Sequence, residues 1–187
     1  KGTVYKRQEL QAIVDKFVDD WNQHYEFFIQ TTKKEASELK QQHQNELDAF
    51  DASQPQNLPP KFRKRSVNLI KMRDKERALA LNKQFLAAEH MKNIADEAEA
   101  EETQKSIKAM QDDFHRRREL LLNKQKEQLR VFCNHSEMTR INMIQQRDQL
   151  LDGYVRRLQR LDNEIENLTE NGKMTKNEIS SIELPQI

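Results

Sequence analysis

The sequence predicts an all-α fold: an elongated antiparallel helical hairpin or long coiled coil, expected to be dimeric. The first observation behind this is an eleven-residue repeat of apolar positions at Met110, Leu121, Phe132, Met143, Tyr154 and Ile165, flanked by a second file at Leu122, Cys133, Ile144 and Val155. Eleven residues make three turns at about 3.67 residues per turn, so both files stay on one side of a nearly straight helix. The second is composition: 34% of residues are charged and only 35% hydrophobic, against about 25% and about 45–50% in ordinary domains. Too little apolar material remains for a globular core of the usual kind. Disorder would normally bring high net charge, but 32 Lys and Arg nearly cancel 31 Asp and Glu, and the apolar residues are periodic rather than scattered. The third is the scarcity of breakers. No Gly or Pro lies between Gly2 and Pro55, or between Pro60 and Gly153, so two uninterrupted helical stretches are expected.

The first helix is expected over residues 3–50. Leu10, Val14, Phe17, Trp21, Tyr25, Phe28, Ala36, Leu39, His43, Leu47 and Phe50 recur there at steps of three, four or their multiples, the spacing of one helix face. Its length would be about 70 Å. The Pro-containing segment 51–60 follows as a loop, and its ten residues suffice to reverse the chain. A second, very long helix is expected over 61–171, starting after Pro60 and ending at Asn171-Gly172, a pair suited to a C-terminal cap. Unbroken, it would reach about 165 Å. Residues 172–187 read as a short or frayed segment, in which Thr175 to Glu178 form a capping box ahead of Ile179 and Ile182.

With helix one folded back on the start of helix two, the distal stretch 107–168 has no intrachain cover. Leaving large apolar side chains wet forgoes roughly 1.5–3 kcal/mol each, so a second copy of the chain is the simplest cover. The dimer seam is then Met110, Leu121, Leu122, Phe132, Cys133, Met143, Ile144, Tyr154, Val155 and Ile165. Parallel and antiparallel dimers fit the files equally. A further interaction surface is expected at Phe17, Trp21, Tyr25 and Phe28, denser in aromatics than a two-stranded seam requires, with Phe27 off the stripe. Gly153 suggests a hinge or a close helix contact.

Charge is balanced overall but blocked locally. Residues 61–77 carry eight basic side chains against two acidic ones, a net of +6, and 89–102 carry six acidic against one basic, a net of −5. Lys61, Arg63, Lys64, Arg65, Lys71 and Arg73 form a candidate patch for an acidic partner: tubulin tails, nucleic acid or an anionic membrane. The competing reading pairs the basic block with the acidic one. Only Phe62 is available to stack on bases, which weighs against nucleic acid. Arg63-Lys64-Arg65-Ser66 also has the form of a basophilic kinase site at a helix start.

No chemistry rises above this background. His24, His43, His90, His115 and His135 are scattered, and no metal-ligand spacing or glycine loop for phosphate occurs. Cys133 and His135 point about 200° apart on a helix and cannot act as nucleophile and base. No enzyme, cofactor, metal or small-molecule substrate is expected. The single cysteine suits a reducing compartment. The absence of a long apolar run, with Lys1 as first residue, suggests a soluble, cytoplasmic fragment of a longer protein.

Two resemblances bear on this. Segment 69–97, through Leu69, Leu79, Phe85, Ala87, Ala88, Met91 and Ile94, resembles the UVR motif of bacterial excision-repair proteins, where two short helices meet just before a Tyr-Glu-x-Ala-Ala-type stretch. It implies a turn near Asn82-Lys83-Gln84 and a three-helix arrangement. No Gly or Pro marks that turn, and Leu79, Lys83, Ala87, Met91 and Ile94 continue at helical spacing, so the unbroken helix is preferred. The family's nuclease and helicase motifs are absent, so no repair function is implied. In composition the chain resembles coiled-coil segments of eukaryotic cytoskeletal, centrosomal and ciliary proteins. That implies a dimerisation and scaffold role with protein helices, or microtubules, as partners. The alternative is a curved helical dimer that binds acidic membrane, similar to BAR-type domains, although the alternation of basic and acidic blocks is unlike their basic concave face.

Overall fold

The structure, a computed structural model, describes residues 2–171. The capping box at 175–178 and the cap at Gly172 lie outside the described residues. Three α-helices and a 3-10 turn make up the described chain: α1 (Gly2–Ala52), the turn Pro60–Phe62, α2 (Val67–Leu81) and α3 (Phe85–Glu170). No strand occurs among the described residues. The chain divides into two compact units, one of Lys1–Lys40 with Leu129–Ile187 and one of Gln41–Gln128.

Helix α1 runs 51 residues because nothing in its interior interrupts the hydrogen-bond ladder. Ser53 closes it, its N–H donating to the Ala49 and Phe50 carbonyls and its hydroxyl to Phe50 O at 2.6 Å. Pro55 then rules out continuation. The next helix does not begin at Lys61, as expected from Pro60. Pro60 initiates only the 3-10 turn, closed by the Arg63 N–H on Pro60 O at 3.1 Å. Ser66 is the stronger start, because its hydroxyl accepts the Leu69 N–H at 3.1 Å and caps α2.

The unbroken helix over 61–171 is divided at Asn82–Gln84. The Gln84 N–H reaches Leu79 O (3.0 Å) and the Lys83 N–H reaches Ala80 O (3.1 Å), the paired bonds of a Schellman cap. Lys83 takes φ 61° to make them, a left-handed conformation that normally falls to glycine. Packing compensates for this local cost. Folding back buries Leu69 to 1% exposure on α2, and Ala88 and Ala95 on α3 are buried. Ala88 and Ala95 sit seven residues apart, two small side chains on one helix face that allow close approach. Lys83→Gly is therefore expected to stabilise the chain by about 1 kcal/mol, read as a higher midpoint in urea.

Helix α2 thus occupies the start of α3, where α1 was expected. In the unit of Gln41–Gln128, α1 lies antiparallel to α3 beyond α2, with Asp51 on Arg118 and His43 on Gln128. In the other unit the antiparallel pairing joins Trp21 to Arg147, Phe17 to Tyr154 and Arg7 to Asp162. Every member of the eleven-residue file is at least partly covered, Ile165 to 2% exposure, and Tyr154 meets Phe17 of α1. The bare distal surface that argued for a second copy is therefore absent. Two further files complete the covered face. Four residues on from the first lie Phe114, Gln125, Ser136, Arg147, Leu158 and Thr169; eight on lie Arg118, Leu129, Arg140, Leu151 and Asp162. Steps of four, four and three place three residues per repeat against α1.

Gly153 makes neither a break nor a close contact. Helix α3 continues through it, and a Cβ placed there would meet nothing within 4 Å. Gly153→Ala is expected to stabilise by about 1 kcal/mol, measurable by thermal or urea unfolding.

Candidate interaction site

In the unit that joins the first forty residues to the stretch from Leu129, the α1 aromatics and the α3 arginines form one alternating seam. Trp21 and Tyr25, one turn apart, stack at 4.9 Å and 14°, and Tyr25 lies 6.3 Å from Phe28. From α3, Arg147 covers the Trp21 ring at 4.6 Å, and Tyr154 meets Phe17 at 5.7 Å. Arg140 lies near Tyr25 and is held by Glu137 at 2.6 Å. The carboxylate of Glu137 first, and the tyrosine second, raise the Arg140 pKa further. A flat guanidinium can lie on a ring and keep its edge for a carboxylate, which explains why arginine rather than lysine suits these positions. Beside the seam opens a groove of about 570 Å³, walled by Val14, Trp21 and Leu151 and rimmed by Asp15, Asp19 and Asp148. At the end of the same seam Arg7 is buried to 1% exposure. It donates from Nε to Asp162 (3.0 Å) and from Nη1 to Gln11 (2.9 Å), and among the described residues its Nη2 has no partner.

The other unit opens on a polar layer. Gln125, buried, donates to the His43 carbonyl at 2.9 Å and to Glu46 at 3.3 Å, and the His43 ring is bonded to Gln128 at 2.8 Å. Such a layer fits only one register and so selects it. Two turns along α1, Phe50 stacks on Phe114 at 4.8 Å, with Arg117 5.8 Å from the Phe50 ring centre.

Between α2 and α3 the opposite charge blocks meet. Arg73 binds Glu99, Asp96 (2.8 Å) and Glu76 (3.1 Å); Arg65 also binds Glu99, at 2.9 Å. Lys61 reaches Asp113 at 3.1 Å, and the Ser66 N–H donates to Glu102 at 3.3 Å. Glu99 above all, then Asp96 and Glu76, raise the Arg73 pKa.

The residues expected to form one surface are thus distributed. Of the candidate acidic-partner patch, Lys61, Arg65 and Arg73 are engaged by acids and Arg63 by the Leu58 carbonyl, while Lys64 and Lys71 are exposed. Pairing between the blocks accounts for Arg65 and Arg73, a third of the patch, while Lys61 pairs beyond the acidic block with Asp113. Of the expected dimer seam, Met110, Leu121, Leu122, Phe132, Met143, Ile144, Tyr154, Val155 and Ile165 are at least partly covered, and Tyr154 meets Phe17 of α1. Cys133 is exposed, unlike Leu122, Ile144 and Val155 at the equivalent positions of the same file. Phe17, Trp21, Tyr25 and Phe28 are partly covered by their own chain, while Phe27 is 73% exposed. Pattern reading missed Arg7, Arg118, Gln125, Arg140, Arg147 and Asp162, which are polar yet inward. For all of these but Arg7, which lies on α1, the eleven-residue relation to Phe114, Leu129, Leu151 and Leu158 was the available signal. Among the described residues no group of three or more His, Cys, Asp or Glu is placed to hold a metal ion, and no helix is long and apolar enough to cross a membrane.

Four carboxylates sit below their ordinary values: Glu46 through Gln42 and then Gln125, Asp51 through Arg118, Asp113 through Arg116 and then Lys61, and Glu137 through Arg140. Carboxylates with depressed folded-state pKa values stabilise the fold fully above their unfolded values, 4.5 for Glu and 3.8 for Asp. That contribution is lost as pH falls through the lower folded values. Thermal scans are expected to give a Tm level between about pH 7 and pH 5 and falling below about pH 4.5, with a shallower fall at high salt. Comparisons with protein families, with curated proteins and with solved structures returned no match.

Proposed function

We propose that this chain is a structural helical segment of a larger protein, a scaffold that offers its outer faces to partner helices and carries no reaction of its own. The observation that supports this best is the use made of the chain's large side chains. The apolar files of α3, the aromatic stripe of α1 and the buried arginine and glutamine positions are engaged in holding helix against helix. The charged residues outside these files lie mostly outward. The compositional resemblance points to cytoskeletal or centriole- and cilium-related assembly as the setting. Self-association belongs to the same proposal, and it would use outer faces, since α1 already covers the files once assigned to a second copy.

The test is size-exclusion chromatography with light scattering and circular dichroism on the chain and on a Leu121→Glu/Phe132→Glu/Met143→Glu variant. The wild type is expected to be strongly helical alone and to unfold cooperatively, and the variant to lose much of that helix signal because its charges enter the α1–α3 seam. A variant that stays fully helical while its mass drops from twice 22.3 kDa to once that value would instead restore the files as an intermolecular seam. A wild-type chain without ordered helix would overturn the scaffold reading, since a scaffold must hold its form before partners arrive.

A further inference from the structure

The apex of the α2–α3 hairpin is the most exposed apolar feature of its unit. Leu81, Phe85 and Leu86 are 78%, 68% and 85% exposed, and all three fall within six residues around the left-handed corner at Lys83. Between Arg77 and Ala88 there is no acidic residue, while Arg77 and Lys83 are basic and exposed. Over the wider span 71–92, six basic residues face three acidic ones, a net of +3. Setting aside the Arg73–Glu76 pair leaves five against two, the same +3.

We propose that this apex is an insertion tip for anionic phospholipid bilayers, an activity beyond the scaffold role. Leu81, Phe85 and Leu86 enter the headgroup and upper acyl region, and Lys83 and Arg77 bind lipid phosphate and carboxylate groups at the surface. Three arguments select a bilayer over a protein as the occupant. The patch offers roughly 400 Å² of apolar surface, about half of what one partner commonly contributes to a stable protein interface. It sits where the chain reverses rather than along a groove, and a bilayer requires no complementary shape. Its charge is complementary to acidic lipid, and long basic side chains next to apolar ones are suited to the interface, where the stem is buried and the head stays wet. Insertion of this kind is interfacial, consistent with the lack of a membrane-crossing helix among the described residues.

The experiment is sedimentation of the whole chain with vesicles of phosphatidylcholine alone or with about 30 mol% phosphatidylserine, at two salt concentrations. Two variants accompany the wild type: Leu81→Ser/Phe85→Ser/Leu86→Ser and Arg77→Ser/Lys83→Ser. All five side chains are exposed, so circular dichroism is expected to show unchanged helix content in both. The wild type is expected to bind the anionic vesicles, more weakly at high salt, and to leave neutral vesicles in solution. The apolar variant is expected to bind at least tenfold more weakly and the basic variant severalfold more weakly. In a Phe85→Trp chain, emission is expected to shift to the blue on anionic vesicles. Failure of the wild type to bind, or full binding by the apolar variant, overturns the proposal. So does self-association that the apolar variant abolishes without any vesicle binding, because a second copy would then be the occupant.

Discussion

Asp162→Ala is expected to destabilise the chain by about 3 kcal/mol, a large effect for a single carboxylate. Arg7 carries a side chain only 2% exposed, while that of Asp162 is 28% exposed. Removing the acid leaves a buried guanidinium with Gln11 as its remaining side-chain partner among the described residues and with Nη2 unpaired already. Loss of one member of a buried pair typically costs about 3–5 kcal/mol, and the partial exposure of Asp162 places this case at the lower end. The reciprocal change should behave differently. Arg7→Met removes the charge itself, together with the unpaired Nη2, and keeps most of the volume, so stability within about 1 kcal/mol of wild type is expected. Urea titrations of both variants check this. Equal losses would mean that the guanidinium contributes through packing rather than through its pairing.

Phe114→Ala is the second large effect, expected to cost about 3–5 kcal/mol. Phe114 is 6% exposed and stacked on Phe50, so truncation loses both the burial of a ring and a preferred aromatic geometry. It also leaves a void between α1 and α3 beside the Phe50 ring. Phe114→Leu should recover more than half of the loss, since shape then matters less than filled volume. A loss below about 1 kcal/mol for the alanine variant would mean that α1 and α3 do not depend on each other there.

Much of the helical architecture was legible, for identifiable reasons. The eleven-residue file was visible because its members are all apolar, and it marks the face that α3 buries. The cover that α1 gives that face went unread because the α2–α3 corner was discounted. Reading breakers by residue type finds Gly and Pro, whereas Lys83 adopts a glycine-like conformation under the pull of Leu69, Ala88 and Ala95. Once α2 folds back, α1 is left with the remainder of α3, and the case for a bare rod awaiting a second copy no longer follows. The inward arginines were illegible for another reason. Hydropathy places Arg147 on the outside, but here it covers the Trp21 ring, so its partial burial depends on an aromatic more than a hundred residues away in sequence. The charge blocks were legible as a pair, and their pairing follows from the same corner that the breaker pattern lacks.

The four-four-three spacing of α3 also restricts how such a chain can change in length. An insertion of one or two residues would rotate everything beyond it by about 100° or 200° and take Leu158 and Ile165 off the covered face, whereas four or seven residues rotate it by only about 35° and move the seam onto a neighbouring file. Eleven residues added to α3, matched by an equivalent length in α1, would return each side chain to the same face. Lengthening that leaves the winding of α3 against α1 unchanged therefore comes in units of three helical turns, the same quantum in both helices, while steps of four or seven must be absorbed by a local change of twist.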